Sequence, residues 1–104
     1  PIWLAPVQVK VLPISDKFNN YCDEVVKQFN ENGIRVEIDQ RNEKIGYKIR
    51  EARNERVPYI VIIGEKEEEE GNVSLRSRKN GDEGSINVRD LIERINNEIK
   101  NKYI

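Results

Sequence analysis

The residues with chemistry to offer fall in three short polar clusters. The first, Arg41-Asn42-Glu43-Lys44-Ile45-Gly46, sits where an extended run hands over to a helical one. A helix N-terminus presents unpaired N–H groups and partial positive charge, which suit a phosphate or a base edge. Lys44 and Lys48, one turn apart, add charge, and Gly46 permits close backbone approach. The plainer alternative makes Asn42 a helix cap and the two lysines a solvated face, and spacing alone favours it. The second cluster is Arg76 and Arg78, alternating on one face of a strand. The arginine fork meets O6 and N7 of guanine together, yet alternating arginines also keep a strand soluble or stack on a neighbouring helix, and spacing alone favours that plainer reading. The third is Glu67, inside the acidic run Glu65–Glu70. One carboxylate there can accept a hydrogen bond from a base and sharpen discrimination while lowering affinity. Glu68, Glu69 and Glu70 read as solvent-facing turn residues. Trp3 could stack on a base, but an apolar lead-in more often packs on a neighbouring domain or helix.

Absences narrow the chemistry further. The 104 residues contain no His and a single Cys, so the usual zinc sets, Ser-His-Asp and Cys-His catalysis, and an internal disulfide are all missing. Cys22 falls on an apolar helical stripe and reads as a core thiol. The net charge of −1 excludes a polycation that grips nucleic acid by bulk attraction. Any such binding must rest on a few placed cations. No apolar run approaches the roughly 20 residues that cross a bilayer, and the start lacks the pattern of a signal peptide, which points to the cytosol and to no membrane partner. The chain begins with Pro1 and has no Met, as expected of a piece of a longer protein.

These clusters must be positioned by one small domain spanning 1–104, with 1–6 as a lead-in between domains. Val7–Leu12 alternates as a first strand and ends at Pro13. A helix capped by Asp16 follows, with Phe18, Cys22, Val25 and Phe29 on its buried stripe and Asn32-Gly33 as its stop. Ile34–Ile38 is a second strand, and a second helix from about Glu43 to Glu55 buries Ile45, Ile49 and Ala52. Tyr59–Ile63 is apolar throughout, as a central strand covered on both faces should be. The acidic run and a hairpin turn at Gly71 lead to a strand over Val73–Lys79, then a loop over Asn80–Ser85. Asn87 caps a last helix carrying Val88, Leu91, Ile92, Ile95 and Ile99. This order predicts an α/β fold, a three-layer α/β/α sandwich with a mixed sheet of four or five strands and three helices. Right-handed crossovers make the first three strands parallel in the order 2-1-3. Ligands of such sheets meet the carboxyl ends of the strands, here Pro13–Ser15, Asp39–Lys44 and Gly64–Glu67.

Longer strings carry a resemblance. Trp3-Leu4-Ala5-Pro6-Val7-Gln8-Val9, Arg41 through Glu51, Val57-Pro58-Tyr59, Gly64-Glu65-Lys66-Glu67, Gly71 through Arg78 and Gly81 through Ser85 occur in this order. Together they resemble the C-terminal anticodon-binding domain of threonyl-tRNA synthetases, class IIa enzymes, over essentially the whole chain. The resemblance implies that Arg76 makes the bidentate contact with the middle anticodon base, a guanine, and that Glu67 reads the third base, a uracil. Asn42 and Lys44 would contact the loop from the helix tip, with Arg50 in support. These implied roles reverse the balance drawn above for Asn42 and Arg76. The implied partners are the anticodon loop of tRNA(Thr) and the catalytic domain of a homodimeric parent synthetase. That absent core would hold the ATP, Mg and Zn, and this domain would have no cofactor and no catalytic centre of its own. Glu68 departs from the family, which often has an apolar residue there.

Two other readings compete. Accessory or regulatory proteins of this fold act as protein-interaction modules without reading RNA, against which the joint presence of Asn42, Lys44, Glu67 and Arg76 argues. A flavodoxin-like redox or nucleotide enzyme would need a phosphate loop or a reactive Cys, and the sequence has neither.

Overall fold

The structure, a computed structural model, describes residues 2–101. The chain runs through β1 (Val9–Pro13), α1 (Asn19–Glu31), β2 (Val36–Ile38), α2 (Ile45–Asn54), β3 (Tyr59–Ile63), α3 (Glu65–Glu70), β4 (Asn72–Ser77), β5 (Gly81–Asn87) and α4 (Val88–Asn101). The strands form one sheet in the order β2-β1-β3-β4-β5. β1 pairs parallel with β2 and β3, while β4 is antiparallel to β3 and β5 to β4. The 2-1-3 parallel core is the one that right-handed crossovers predict.

Sequence and structure part in identifiable places. Among the described residues four α-helices stand where three are expected, because the acidic run is the helix α3 rather than solvent-facing turn residues. Glutamate is a good helix former. Glu67 Oε1 accepts the Gly64 N–H at 2.7 Å, and Gly71 closes the helix in the left-handed conformation at φ 70°. Most of the expected loop over Asn80–Ser85 belongs to β5, whose alternation is hidden by Gly81 and Gly84, both at positive φ. The first helix starts at Asn19, after a 3-10 turn (Asp16–Phe18) that Ser15, not Asp16, caps through the Lys17 N–H.

The two faces of the sheet are covered unequally. On one, α1 and α4 pack Cys22, Val25, Phe29, Leu91 and Ile95 against Val9, Val11, Val61, Ile63, Val73 and Leu75. On the other, α2 alone brings Ala52, Ile45 and Ile49 onto Leu12, Ile60 and Ile62. Helix α2 thus roofs β1 and β3. Cys22 is fully buried, and burial pushes its thiol up to about 12, so it is a core thiol and not a nucleophile. The lead-in is tied down too. Arg35 donates to the carbonyls of Trp3 and Ala5, and the Gln8 amide bridges Ile2 O and the Arg35 N–H.

Beneath β5, Glu83 meets Arg94 of α4 in a two-pronged pair at 2.7 and 3.0 Å, and Arg94 also stacks over Tyr59 at 5.4 Å. The hydrogen bonds from Arg94 hold the Glu83 carboxyl down at about 2, against an ordinary 4.5. A carboxylate depressed in the folded state stabilises fully above its unfolded value, and that contribution fades as pH falls toward the folded one. Thermal melts should therefore show a loss of stability between about pH 4.5 and pH 2. Glu83→Gln should melt lower at neutral pH and decline less steeply across that window. An unchanged slope in the variant would remove Glu83 from the account.

Candidate nucleic-acid interface

The β2–α2 junction stands at the carboxyl rim of the parallel strands. Arg41 folds back there, pairing with Asp39 at 2.8 Å and with Glu51, and its guanidinium lies 5.9 Å from the Tyr47 ring. The Arg41 hydrogen bonds keep the buried Asp39 carboxyl below its usual range. Asn42 and Lys44 are left exposed beside this knot. Asn42 is not the helix cap that spacing favoured. Helix α2 begins at Ile45 with Lys44 in the cap position, and no side chain bonds its first N–H groups. The helix tip is open to an external acceptor.

Lys48 corrects the solvated-face reading. It is only 3% exposed, and its ammonium donates to Pro13 O at 3.3 Å and Asp39 O at 3.1 Å. Lys48 therefore ties the ends of β1 and β2 together. The missed signal was its position on the Ile45–Ile49–Ala52 stripe, one turn from two of those residues. Beside it, a cavity of about 270 Å³ opens between Ser15, Asn19, Asn42 and Glu43. A larger hollow of about 1240 Å³ lies at the opposite rim, around Arg56, Asn80 and Glu98; of the candidate residues it holds only Arg78, which lies just past the end of β4.

The flanks of α2 differ in kind. Glu51 and Glu55 point toward the β2 side, where they meet Arg41 and Lys10. At 100° per residue, Gly46, Arg50 and Arg53 fall on the other flank, toward β4. Nothing lies within 4 Å of a side chain built at Gly46, and Arg50 is exposed. Past that flank the sheet is bare of helices. Register puts Ser74 opposite Ile62 and Arg76 opposite Ile60, so both share the α2 face, and Ser85 continues it on β5.

Arg76 and the helix tip thus share a face of the sheet. Arg76 pairs near the start of β3, whereas Asn42 and Lys44 stand at the carboxyl rim. The ten residues of α2, about 15 Å of helix, run back from that tip along the same face. Glu67 is also at the rim, its Oε1 held by the Gly64 N–H and 3.2 Å from where a Gly64 methyl would sit.

Arg76 differs from the other anchored arginines. Arg35, Arg41 and Arg94 each make two or more hydrogen bonds. Arg76 has a side chain 31% exposed, a single long pair at 3.7 Å to Asp82, and a buried Nε with no partner. A half-buried guanidinium with idle donors is costly unless something satisfies it. Among the described residues, no group of three or more His, Cys, Asp or Glu side chains gathers as a metal set, and no helix is long and apolar enough to cross a membrane.

Comparison with known proteins identifies the family. A family model described as an anticodon binding domain matches residues 8–98. A threonine–tRNA ligase of Clostridium botulinum is 61% identical over 102 residues, covering 98% of this chain. The chain spans 16% of that curated relative's length. The crystal structure of the RNA binding domain of threonyl-tRNA synthetase from Cryptosporidium parvum superposes with a TM-score of 0.87 at 32% identity, covering 93% of this chain and 24% of that one. A prolyl-tRNA synthetase from the same organism reaches 0.86 at 27% identity over 97% of this chain and 22% of its own. The fold is shared across amino-acid types, while the high identity is to the threonine type. This chain belongs to the anticodon binding domain family, and its sequence places it with the threonyl-tRNA synthetases.

Proposed function

We propose that this chain recognises the anticodon loop of tRNA(Thr) for a threonyl-tRNA synthetase. In this reading the parent joins threonine to tRNA in the cytoplasm, as a homodimer whose catalytic portion holds the ATP, Mg and Zn. The under-bonded Arg76 guanidinium, on the open shelf between α2 and β4, is the observation that carries it. Guanine offers O6 and N7 on one edge, the pair of acceptors a guanidinium lacks here. Glu67 would accept from the N3–H of the third base, a uracil. Asn42 and Lys44 would hold the loop at the open helix tip, and Arg50 would steady its backbone from the flank.

With a net charge of −1, affinity comes from a few placed cations, so binding should weaken only gently with salt. Titration of a synthetic threonine anticodon stem-loop, followed by fluorescence anisotropy, tests the reading. Adenine in place of the middle guanine should cost about 1–3 kcal/mol. A 7-deazaguanine there should lose part of that, having O6 without N7. Arg76→Ala should bind the guanine and adenine loops alike, and retention of the wild-type preference would dismiss Arg76 as reader. A chain that dimerises tightly and ignores every stem-loop would instead favour the protein-interaction module.

Gly46 supplies a separate check. An exposed helical glycine in open space should gain about 0.5–1 kcal/mol of stability on Gly46→Ala. If the RNA backbone passes over this flank, the same methyl should weaken stem-loop binding. A variant that is more stable and binds equally well would move the RNA path off α2.

A further inference from the structure

The β4–β5 ladder holds an irregularity whose consequences reach Arg76. Leu75 pairs with Gly84, yet the next residue, Arg76, pairs with Asp82, so Glu83 is the extra residue of a bulge. Strict alternation would have set Glu83 opposite Arg76 and turned Asp82 toward α4. The bulge exchanges them. Glu83 turns under the sheet to Arg94, and Asp82 rises on the α2 face beside Arg76. Asp82 is itself fixed, since its Oδ1 accepts the Gly84 N–H at 2.9 Å and Gly84 holds the left-handed φ of 79° that the turn requires. Its second oxygen, Oδ2, stands 3.7 Å from an Arg76 terminal nitrogen. That is near enough to attract the guanidinium and too far for a hydrogen bond that would consume its donors.

We propose that Asp82 is the positioning residue for the Arg76 fork, aiming it across the open shelf while leaving its donors for a guanine edge. The proposal rests on the reading of Arg76 given above. Asp82 touches no base. It acts through Arg76, and being an anion beside an RNA site it lowers raw affinity for phosphate while raising discrimination between bases.

Asp82→Asn separates these effects, because its amide oxygen still accepts the Gly84 N–H while the charge is gone. Anisotropy titrations of the full chain with the guanine and adenine stem-loops should show Asp82→Asn binding both at least as tightly as wild type. Its preference for guanine should fall by about threefold or more, out of a wild-type ratio of about 5- to 150-fold. Asp82→Glu, which keeps the charge on a longer arm, should recover part of the ratio. A merely structural role would lower affinity for both loops and leave Asp82→Glu as impaired as Asp82→Asn, and either result overturns the proposal. So does a variant that no longer folds at the assay temperature. Should Arg76→Ala abolish the preference while Asp82→Asn keeps it whole, Asp82 is no positioning residue, yet Arg76 stands as reader. Should wild type itself show no preference for guanine, the reading of Arg76 fails and this proposal with it.

Discussion

One helix cannot cover five strands. On the α1–α4 face two long helices bury the sheet from β1 to β5, and the large core lies there. On the opposite face α2, ten residues long, reaches only β1 and β3, and its core shrinks to Leu12, Ala52, Ile60 and Ile62 with Ile45 and Ile49 at the margin. The strands beyond must carry polar side chains on that face, since apolar ones would stand in water. Ser74, Arg76 and Ser85 are what the sequence supplies. A shelf bounded by a helix flank is therefore a consequence of element count, and it is on this shelf that a flat ligand finds both a wall and a floor.

Charge is distributed to match. A domain of net charge −1 cannot attract RNA as a whole. Most of its buried or half-buried cations are neutralised locally: Lys10 by Glu37 and Glu55, Arg41 by Asp39 and Glu51, Arg94 by Glu83. Lys48 is occupied by two carbonyls. What remains idle on the α2 face is Arg76. The more exposed of these pairs, such as Arg41 with Glu51, contribute little to stability. Their larger effect is to withdraw competing cations from the surface, so that the few left facing outward decide where an anion or a base edge settles.

Much of this was legible in the sequence. Alternation over Val9–Leu12, the apolar run Tyr59–Ile63 and the stripes through Phe29 and Ile95 are strong because burial on a fixed face leaves a fixed period. The strand order followed from handedness. Cys22 lay on such a stripe and is a core thiol. The faults came where chemistry and period disagree. Lys48 reads as solvent-facing because lysine is rarely buried, although its spacing places it on the inner stripe. Glu65–Glu70 reads as turn residues because a helix of five glutamates and one lysine has no apolar stripe to reveal it. β5 reads as a loop because Gly81 and Gly84, on either side of the bulge, break the alternation. The sharing of a face by Arg76 and α2 needed the register with Ile60, which no local pattern contains.

The bulge also bears on why acidic residues would crowd the proposed RNA surface. Repulsion of phosphate is a loss in affinity shared by every RNA, right or wrong, so it does not by itself alter selectivity. A carboxylate that holds a donor in place acts otherwise. Glu67 caps Gly64 through one oxygen, and Asp82 grips its own turn through one oxygen and attracts Arg76 with the other. In each, a backbone N–H bond fixes the carboxylate and leaves its second oxygen out of that bond. A guanidinium left to wander would satisfy phosphate anywhere along a strand, since any anionic oxygen suffices. Held at a set angle, it meets two acceptors on one base edge or none, and a geometric demand of that kind turns attraction into discrimination.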